Sequence, residues 1–253
     1  MARIIQFSDT HLRSDHWRHQ RAFSRAVRRG GSADLALITG DLSVDGADRD
    51  ADLIDAKARF DRLRYSWRAL PGNHDIGEEP ASPRKGQPVN TARLARYTKI
   101  LGDGWFAEDL PGWRLIGLNA QLFGTGLPEE THQWSHFEQY LASKGQRRVG
   151  VFLHKPLFIQ APDEVEIAKW AVAQTARERL LSCARGGDAI AFFSSGHLHQ
   201  SLIREEGGVR HIWCPATANS AQTLLASGAM PGTGMTISDL EPTGRYRVRF
   251  EFS

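Results

Sequence analysis

The first part of this 253-residue chain alternates short apolar, β-rich runs with amphipathic helical patterns. The runs at 3–7 and 35–39 predict buried strands, and apolar residues recurring at helical spacing predict helices over 17–29 and 51–64. Trp17 is expected on the apolar side of the first helix. A strand–helix–strand–helix order favours a parallel sheet covered by helices, so an α/β protein is expected.

The same patterns continue along the chain and then change. Strands are predicted at 113–120, 148–153 and 189–194, and helices at 91–101, 128–143 and 173–184. From residue 201 onward, apolar and charged residues alternate between Gly and Pro turns, which indicates antiparallel hairpins with one solvent-facing side. The sequence contains neither a repeat nor a clear boundary, so residues 1–253 are expected to form a single domain.

The segment 76–90 is rich in proline and charge and is predicted to be a loop. It is longer than the connections that compact domains usually carry. Its Arg84 and Lys85 make it a candidate rim that selects the substrate, and a plain spacer is the alternative.

Composition excludes several classes of protein. A net charge of +3 is mild, and the arginines of 18–29 fit the solvated side of a helix better than a nucleic-acid-binding stripe. No apolar run is long enough to span a bilayer and the N-terminus lacks a signal-peptide pattern, so a cytoplasmic protein with no membrane partner is expected. Cys183 and Cys214 are too few and too far apart for a disulfide framework and are expected to be reduced.

Residues of the types that bind metals follow five of the apolar runs directly. They are Asp9 and His11 after 3–7, Asp41 after 35–39, Asn73, His74 and Asp75 after 67–70, His154 after 148–153, and His197 and His199 after 189–194. Because the carboxyl ends of strands in open α/β sheets form the ligand crevice, these residues are expected to converge. Gly40, Gly72 and Gly196 directly precede ligand residues, where a missing Cβ permits close approach of the backbone.

The spacing and chemistry of these residues indicate a metal centre. Asp9 and His11 are two residues apart, as are His197 and His199, and in an extended chain such residues point to the same side. Each pair can therefore serve one centre or two adjacent ones. Carboxylate, imidazole and amide groups without thiolate suit Mn, Fe or Zn. A hydrolytic two-metal site needs ions about 3.5 to 4 Å apart, and Asp41 is the candidate for the bridging carboxylate.

The ordered series D-x-H, G-D, G-N-H-D, H and G-H-x-H resembles the calcineurin-like metallophosphoesterase superfamily over residues 4–200. The stretches FSDTHL, GDLSVDG and PGNHD are most similar to its class III cyclic-nucleotide phosphodiesterase and glycerophosphodiesterase branch. This resemblance implies an α/β fold, called α+β in some schemes: a four-layer αββα sandwich with mixed sheets. The β-rich tail is compatible with the second sheet of that sandwich.

The resemblance also implies the roles of the site residues. One metal would be held by Asp9, His11, Asp41 and His199, and the other by Asp41, Asn73, His154 and His197. The metals would be two divalent or mixed-valence ions of Mn, Fe or Zn. His74 would be catalytic, giving a proton or hydrogen bond to the departing or phosphoryl oxygen, and Asn73 and His74 would bind substrate.

The implied ligand set makes chemical sense for a small phosphodiester. Two divalent ions carry more positive charge than Asp9 and Asp41 cancel, so the centre attracts a phosphate monoanion and supplies a metal-bound hydroxide as the nucleophile. The expected substrate is a cyclic nucleotide or a glycerophosphodiester. A phosphomonoesterase or nuclease on the same site, and a non-catalytic interaction scaffold, are the alternatives. Nucleic acid is not the expected partner, and relatives that form dimers leave a homo-oligomer open.

The chain departs from the family pattern at several positions. Protein serine/threonine phosphatases of the superfamily carry G-D-x-V-D-R-G with an arginine for phosphate, which GDLSVDG lacks, so a protein phosphatase is not expected. Asp45 would either orient His74 or be a solvated turn residue. Lys155 stands where relatives often have a second histidine, and it is expected to be exposed, with added positive charge near substrate as the alternative.

Several other polar residues are assigned structural roles. Structural roles are expected for His132, His136 and His211. A helix surface is expected for His16 and His19, and a turn for Thr217 and Asn219; for these four residues, approach to the metals is the alternative. Asp75 is expected to order its turn.

Overall fold

The computed structural model describes residues 1–80, 86–165, 167, 169–185 and 190–253. Arg84 and Lys85 of the predicted substrate-selecting rim lie outside these residues.

The described residues contain eleven strands and six helices. The strands are β1 (Ala2–Phe7), β2 (Leu35–Thr39), β3 (Ser66–Leu70), β4 (Phe106–Leu110), β5 (Trp113–Gly117), β6 (Arg148–Phe152), β7 (Ile190–Ser195), β8 (Leu202–Glu206), β9 (Val209–Trp213), β10 (Gly234–Leu240) and β11 (Tyr246–Phe252). The helices are α1 (Trp17–Gly30), α2 (Asp50–Phe60), α3 (Asn73–Ile76), α4 (Thr91–Leu101), α5 (Pro128–Ala142) and α6 (Gln174–Arg185).

The strands form two mixed sheets. The first has the order β11-β10-β1-β2-β3, in which β1, β2 and β3 are parallel and the hairpin β10–β11 is antiparallel. The second has the order β4-β5-β6-β7-β9-β8, with four parallel strands flanked by the antiparallel edges β4 and β8. Both predicted tail hairpins, β8–β9 and β10–β11, are therefore present, but only β8–β9 lies in the second sheet. The hairpin β10–β11 joins the first sheet beside β1, so β10 is an inner strand and is buried rather than solvent-facing on one side.

Each sheet is covered on both faces, which explains the continuous apolar strand runs. In β2, Leu35 and Leu37 pack between the sheets with residues of the second sheet such as Phe192, whereas Ile38 faces the helices of the first sheet with Phe60 of α2. Helices α5 and α6 cover the outer face of the second sheet. The layers are helix, sheet, sheet and helix, so the expected αββα architecture is confirmed.

Three local predictions differ from the structure. Trp17 is 60% exposed rather than packed under α1, whose buried face begins at Phe23. Helix α2 ends at Phe60, four residues earlier than predicted, and a turn follows. Strand β4 was not predicted because it carries charged residues, as an edge strand paired on one side can.

Among the described residues, no helix has the length and apolar character needed to cross a membrane. Cys183 and Cys214 are free thiols, as expected.

Candidate metal centre

The predicted ligand residues lie together where β1, β2, β3, β6 and β7 end. Asp9, His11, Asp41, Asn73, His154, His197 and His199 all take part in close contacts with one another. The carboxyl ends of parallel strands from both sheets meet at this point, so the convergence expected from the sequence occurs.

One group of possible ligand atoms is formed by Asp9, His11 and His199. His199 Nε2 lies 3.2 Å from Asp9 Oδ1, and His11 Nε2 lies 3.3 Å from His199 Nε2. These atoms come from the ends of β1 and β7, which belong to different sheets. The group therefore combines residues from both sheets.

A second group is formed by Asp41, His154 and His197. His154 Nε2 lies 3.3 Å from Asp41 Oδ1, 3.2 Å from His197 Nδ1 and 3.2 Å from Asn73 Oδ1. The Asn73 amide thus supplements the carboxylate and the two imidazoles. The two histidines of the Gly196–His199 turn belong to different groups.

Asp41 stands between the two groups. Its Oδ1 faces His154, whereas its Oδ2 lies 3.8 Å from His11 Nε2 and 3.9 Å from His74 Nε2. Its two carboxylate oxygens thus have different histidine neighbours, and Asp41 forms a third group of possible ligand atoms with His11 and His74. This orientation is what a carboxylate shared by two cations requires.

The backbone at five of these residues is left-handed. The φ angles are 51° at Asp9, 41° at His11, 48° at Asp41, 68° at His197 and 53° at His199. The extended geometry assumed for the two-residue spacing is therefore wrong, and tight turns aim these side chains instead. Non-glycine residues in this region carry a strain of order 1–3 kcal/mol each, and such strain clusters at functional sites.

Two glycines are required by close approach. A Cβ on Gly40, whose φ is +88°, would lie 2.2 Å from His154 Nδ1. A Cβ on Gly196 would lie 1.7 Å from the Ser8 hydroxyl oxygen and 2.6 Å from Asp9 Oδ2. Glycine at these positions lets the turns pack directly against the ligand side chains.

Asp75 organises the G-N-H-D turn, as expected. Its carboxylate accepts hydrogen bonds from the backbone N–H groups of Gly72, Leu42 and Ser43 at 2.9–3.0 Å, and from the Ser43 hydroxyl at 2.6 Å. Burial and the neighbouring Asp41 raise the pKa of Asp75 to about 6. The residue fastens the turn after β3 to the turn after β2.

Backbone carbonyls orient three of the imidazoles. His154 Nδ1 lies 2.9 Å from Thr39 O, His197 Nε2 lies 2.9 Å from Lys169 O, and His74 Nδ1 lies 2.7 Å from Val44 O. Because a carbonyl only accepts, each of these nitrogens carries the proton. The other nitrogen of each ring faces the cluster, as metal-binding histidines require.

The electrostatics of the cluster are set by burial and by the two aspartates. Burial lowers the pKa of His11 to about 4 and that of His197 to about 3, so both rings are neutral. Burial also opposes charge on His154, but the Asp41 carboxylate outweighs it and raises the pKa to about 9. Burial likewise opposes ionisation of Asp9, yet the His199 imidazole holds its pKa well below the usual range.

The donor set fits metal cations. Asp9 Oδ1 is buried and accepts no hydrogen bond, although His199 Nε2 is near. Ring nitrogens of His154 and His197 face each other at 3.2 Å, and Asn73 Oδ1 lies 3.2 Å from the same His154 Nε2. A cation between them would satisfy these atoms. Carboxylate, amide and imidazole donors without thiolate match the expected metals.

Lys155 does not occupy the exposed position expected for it. Its side chain is 0% exposed, and Nζ lies 2.6 Å from Glu79 Oε1 and 3.4 Å from Glu78 Oε2. The sequence gives no signal for this burial, because a lysine after a strand-end histidine and an acidic pair 76 positions away are each ordinary surface features. The prediction for Lys155 was wrong because folding brings this acidic pair against its ammonium group.

His19 and Asn219 also approach the cluster. His19 Nδ1 lies 2.8 Å from His11 O, and the Asn219 amide lies 3.1 Å from His199 Nδ1. Both line a cavity of about 310 Å³ over the ligand groups, together with His74. For His19 and Asn219, the alternative is therefore observed: both residues approach the site.

The other assigned residues have mainly structural surroundings. His16 lies near Asp15, and Thr217 donates to Gly234 O and bonds the β1 turn through its backbone. Asp45 accepts from Gln87, and the carbonyl of Val44 takes the place expected for an aspartate beside His74. His132 and His136 are exposed on α5, and His211 is buried in the core.

Comparison with known proteins places this chain in a family. The sequence model described as calcineurin-like phosphoesterase matches residues 2–201. The chain belongs to the calcineurin-like phosphoesterase family. It is a metal-dependent hydrolase of phosphoric esters.

The individual relatives have low sequence identity to this chain. The chain is 25% identical to a probable cyclic nucleotide phosphodiesterase of Synechococcus sp. over 98% of its own length and 91% of that protein. It is 32% identical to the serine/threonine-protein phosphatase CPPED1 of Danio rerio, over 52% of its length and 41% of that protein. A dimetal phosphatase structure from Danio rerio superposes with a TM-score of 0.64 at 16% identity, over 99% of this chain and 96% of that one.

Proposed function

We propose that this protein is a binuclear phosphodiesterase that hydrolyses a small diester of the cyclic nucleotide or glycerophosphodiester type. The observation that carries the proposal is Asp41, whose two oxygens face two separate groups of ligand atoms. The similarity to a probable cyclic nucleotide phosphodiesterase over nearly the whole chain supports the substrate class.

The residues assigned to the cations follow the two groups. Asp9, His11, Asp41 and His199 would hold one ion, and Asp41, Asn73, His154 and His197 would hold the other. We propose Mn, Fe or Zn, given the nitrogen and oxygen donors. When bound, such a pair supplies positive charge for the phosphate and lowers the pKa of a coordinated water so that a nucleophile exists near neutral pH.

His74 is proposed as the proton donor. Its Nδ1 is held by Val44 O, so Nε2 faces the cavity, 3.9 Å from Asp41 Oδ2. A proton carried on Nε2 would be placed to pass to the departing oxygen. Its backbone N–H donates to Asp41 Oδ1 at 2.9 Å and so fixes its place beside the bridging carboxylate.

The lining of the cavity supports the proposal of a diester rather than a monoester. The described residues that line it include histidines, Asp41, Asn73 and Asn219 but neither lysine nor arginine. A monoester dianion would need additional fixed positive charge, whereas a diester carries one negative charge. The diester is therefore the better electrostatic match to this lining.

A substrate panel tests this proposal. The Mn-loaded protein is assayed with bis-p-nitrophenyl phosphate, p-nitrophenyl phosphate, cyclic AMP, glycerophosphodiesters and single-stranded DNA. We expect a higher kcat/KM for diesters than for the monoester. A monoester with the higher kcat/KM contradicts the proposal, as does a protein that takes up Mn and stays inert on every ester.

A phosphomonoesterase is the second candidate function. The match to the phosphatase CPPED1 favours it, although that match covers only about half of this chain. A phosphopeptide added to the panel separates a protein phosphatase from an enzyme for small monoesters.

For location we propose the cytoplasm, because the free thiols Cys183 and Cys214 fit a reducing compartment.

A further inference from the structure

A buried polar cluster adjoins Asn73 and His154, beside the second group of ligand atoms. Lys155 and Gln121 are 0% exposed and Glu79 is 1% exposed. Lys155 Nζ donates to Glu79 Oε1 at 2.6 Å. A buried ammonium beside a buried carboxylate is expensive unless both are well paired, and the mechanism described above uses neither residue.

The cluster connects to a ligand residue through Gln121. In the amide orientation that satisfies both neighbours, the Gln121 nitrogen donates to Glu79 Oε2 at 2.7 Å. Its oxygen then accepts the backbone N–H of Asn73 at 2.8 Å. Gln121 is carried by the short 3₁₀ turn after β5, and the Asn119 side chain caps that turn.

These contacts close a ring around two ligand residues. Asn73 Oδ1 lies 3.2 Å from His154 Nε2, and His154 is followed in the chain by Lys155. From Lys155 the contacts run through Glu79 and Gln121 back to Asn73. The ring fixes the Asn73 backbone and the end of β6 relative to each other without touching Asp9, His11 or His199.

We propose that Lys155, Glu79 and Gln121 are positioning residues for the cation held by Asn73, His154 and His197. This inference rests on the proposed function only for the existence of two cation sites. It predicts that the affinity of the second cation depends on the ring, whereas the affinity of the first does not. Residues that orient metal ligands typically contribute about 10- to 100-fold to metal affinity.

The test is a calorimetric Mn titration of the metal-free protein that resolves two binding steps. Gln121→Leu is the main variant, because it removes the link to Asn73 without leaving an unpaired lysine. We expect about 10- to 100-fold weaker binding at one step and an unchanged constant at the other. Lys155→Met should weaken the same step, and the double variant should be no weaker than the weaker single one, because both changes break one ring.

Arg114→Met is the matched control for loss of a buried cation. Arg114 is 8% exposed and pairs with Asp109 at 2.7 Å, at the end of β5 that is remote from the ligand residues. This variant should lose stability in thermal unfolding but keep both Mn constants. If Lys155→Met does not fold, Gln121→Leu alone decides the matter.

The outcomes separate this inference from the proposed function. Unchanged Mn constants in Gln121→Leu, or equal weakening of both steps, would overturn the positioning role even if the wild type cleaves diesters. Selective weakening of one step would support it even if the wild type cleaved none of the esters, a result that would reject only the proposed function.

Discussion

Two buried histidines of this protein have pKa values shifted in opposite directions by their neighbours. His154, at the end of β6, is 0% exposed and has a pKa raised to about 9, because the Asp41 carboxylate outweighs the effect of burial. His211, in β9, is 4% exposed and has a pKa lowered to about 3 by burial and by the nearby Arg204. The residue type and the degree of burial are similar, but the neighbours differ.

The surroundings of the two histidines show what each region is built for. His211 packs against the rings of Phe158 and Phe193, with centroids 4.6 and 5.6 Å away, and its Nε2 has no hydrogen-bond partner. It lies on a regular strand. The ligand cluster instead gathers carboxylates and imidazoles on left-handed turns. Around His211, burial among apolar rings keeps the imidazole uncharged, so this region depends on packing. In the ligand cluster, burial holds opposite charges close together, so the cluster depends on the balance between its carboxylates and imidazoles.

Removal of the central carboxylate should have the largest effect. Asp41→Asn keeps the size of the side chain but removes the negative charge shared by the two ligand groups, so Mn uptake should fall below two ions per chain. Turnover of bis-p-nitrophenyl phosphate should drop to background. Metal analysis of the purified variant and its kcat/KM measure the two effects.

Asp52→Asn is the matched control for this variant. Asp52 is also a buried aspartate, but it lies on α2 beside Arg49 and belongs to none of the groups of possible ligand atoms. The control should keep two ions and wild-type turnover. A fully active Asp41→Asn variant would show that the cluster does not need its central charge.

The strand-end residues could be predicted because their signal is local. Each apolar run buries a strand on both faces, and the residues just after it must lie at the sheet edge, whichever strands become neighbours. The places of Asp9, Asp41, Asn73, His154 and His199 followed from this rule. The assignment of each residue to a particular ion came only from the family resemblance and stays a proposal.

The remaining features depend on contacts distant in sequence. Lys155 was expected at the surface, because only the folded chain brings Glu79 beneath it. Trp17 fits a helical apolar pattern yet lies outside the core, since the sequence does not show where the packed part of α1 begins. The left-handed turns could not be inferred from two-residue spacing, which extended and tightly turned chains share.

A smaller loss of activity is expected from His74→Ala. His74 faces the cluster but is not among its assigned ligands, so the variant should bind two Mn ions like the wild type. Its kcat should fall by about 10²- to 10⁴-fold, as is typical when a general acid is removed. His136→Ala, which removes an exposed imidazole on α5, is the control and should be fully active. An unchanged kcat in His74→Ala would reject the proposed role.

The smallest effect is expected at His211, and it concerns the free energy of unfolding rather than turnover. The ordinary pKa of histidine is 6.5, and that of folded His211 is about 3. Between these values the unfolded chain binds a proton that the folded chain excludes. The stability contribution is therefore fully present above pH 6.5 and falls by about 1.4 kcal/mol per pH unit as the pH drops towards 3.

His211→Phe should remove this part of the pH dependence, since phenylalanine packs among the same rings and cannot be protonated. Urea unfolding in chelator at pH values from about 7.5 to 5 gives the free energies of unfolding without a contribution from metal release. The stability difference between variant and wild type should shift in favour of the variant as the pH falls below 6.5. His132→Gln, an exposed change on α5, should retain the wild-type slope. Parallel plots of unfolding free energy against pH for His211→Phe and wild type would mean that His211 becomes protonated in the folded protein. The pKa values of His154 and His211 would then differ less than their neighbours indicate.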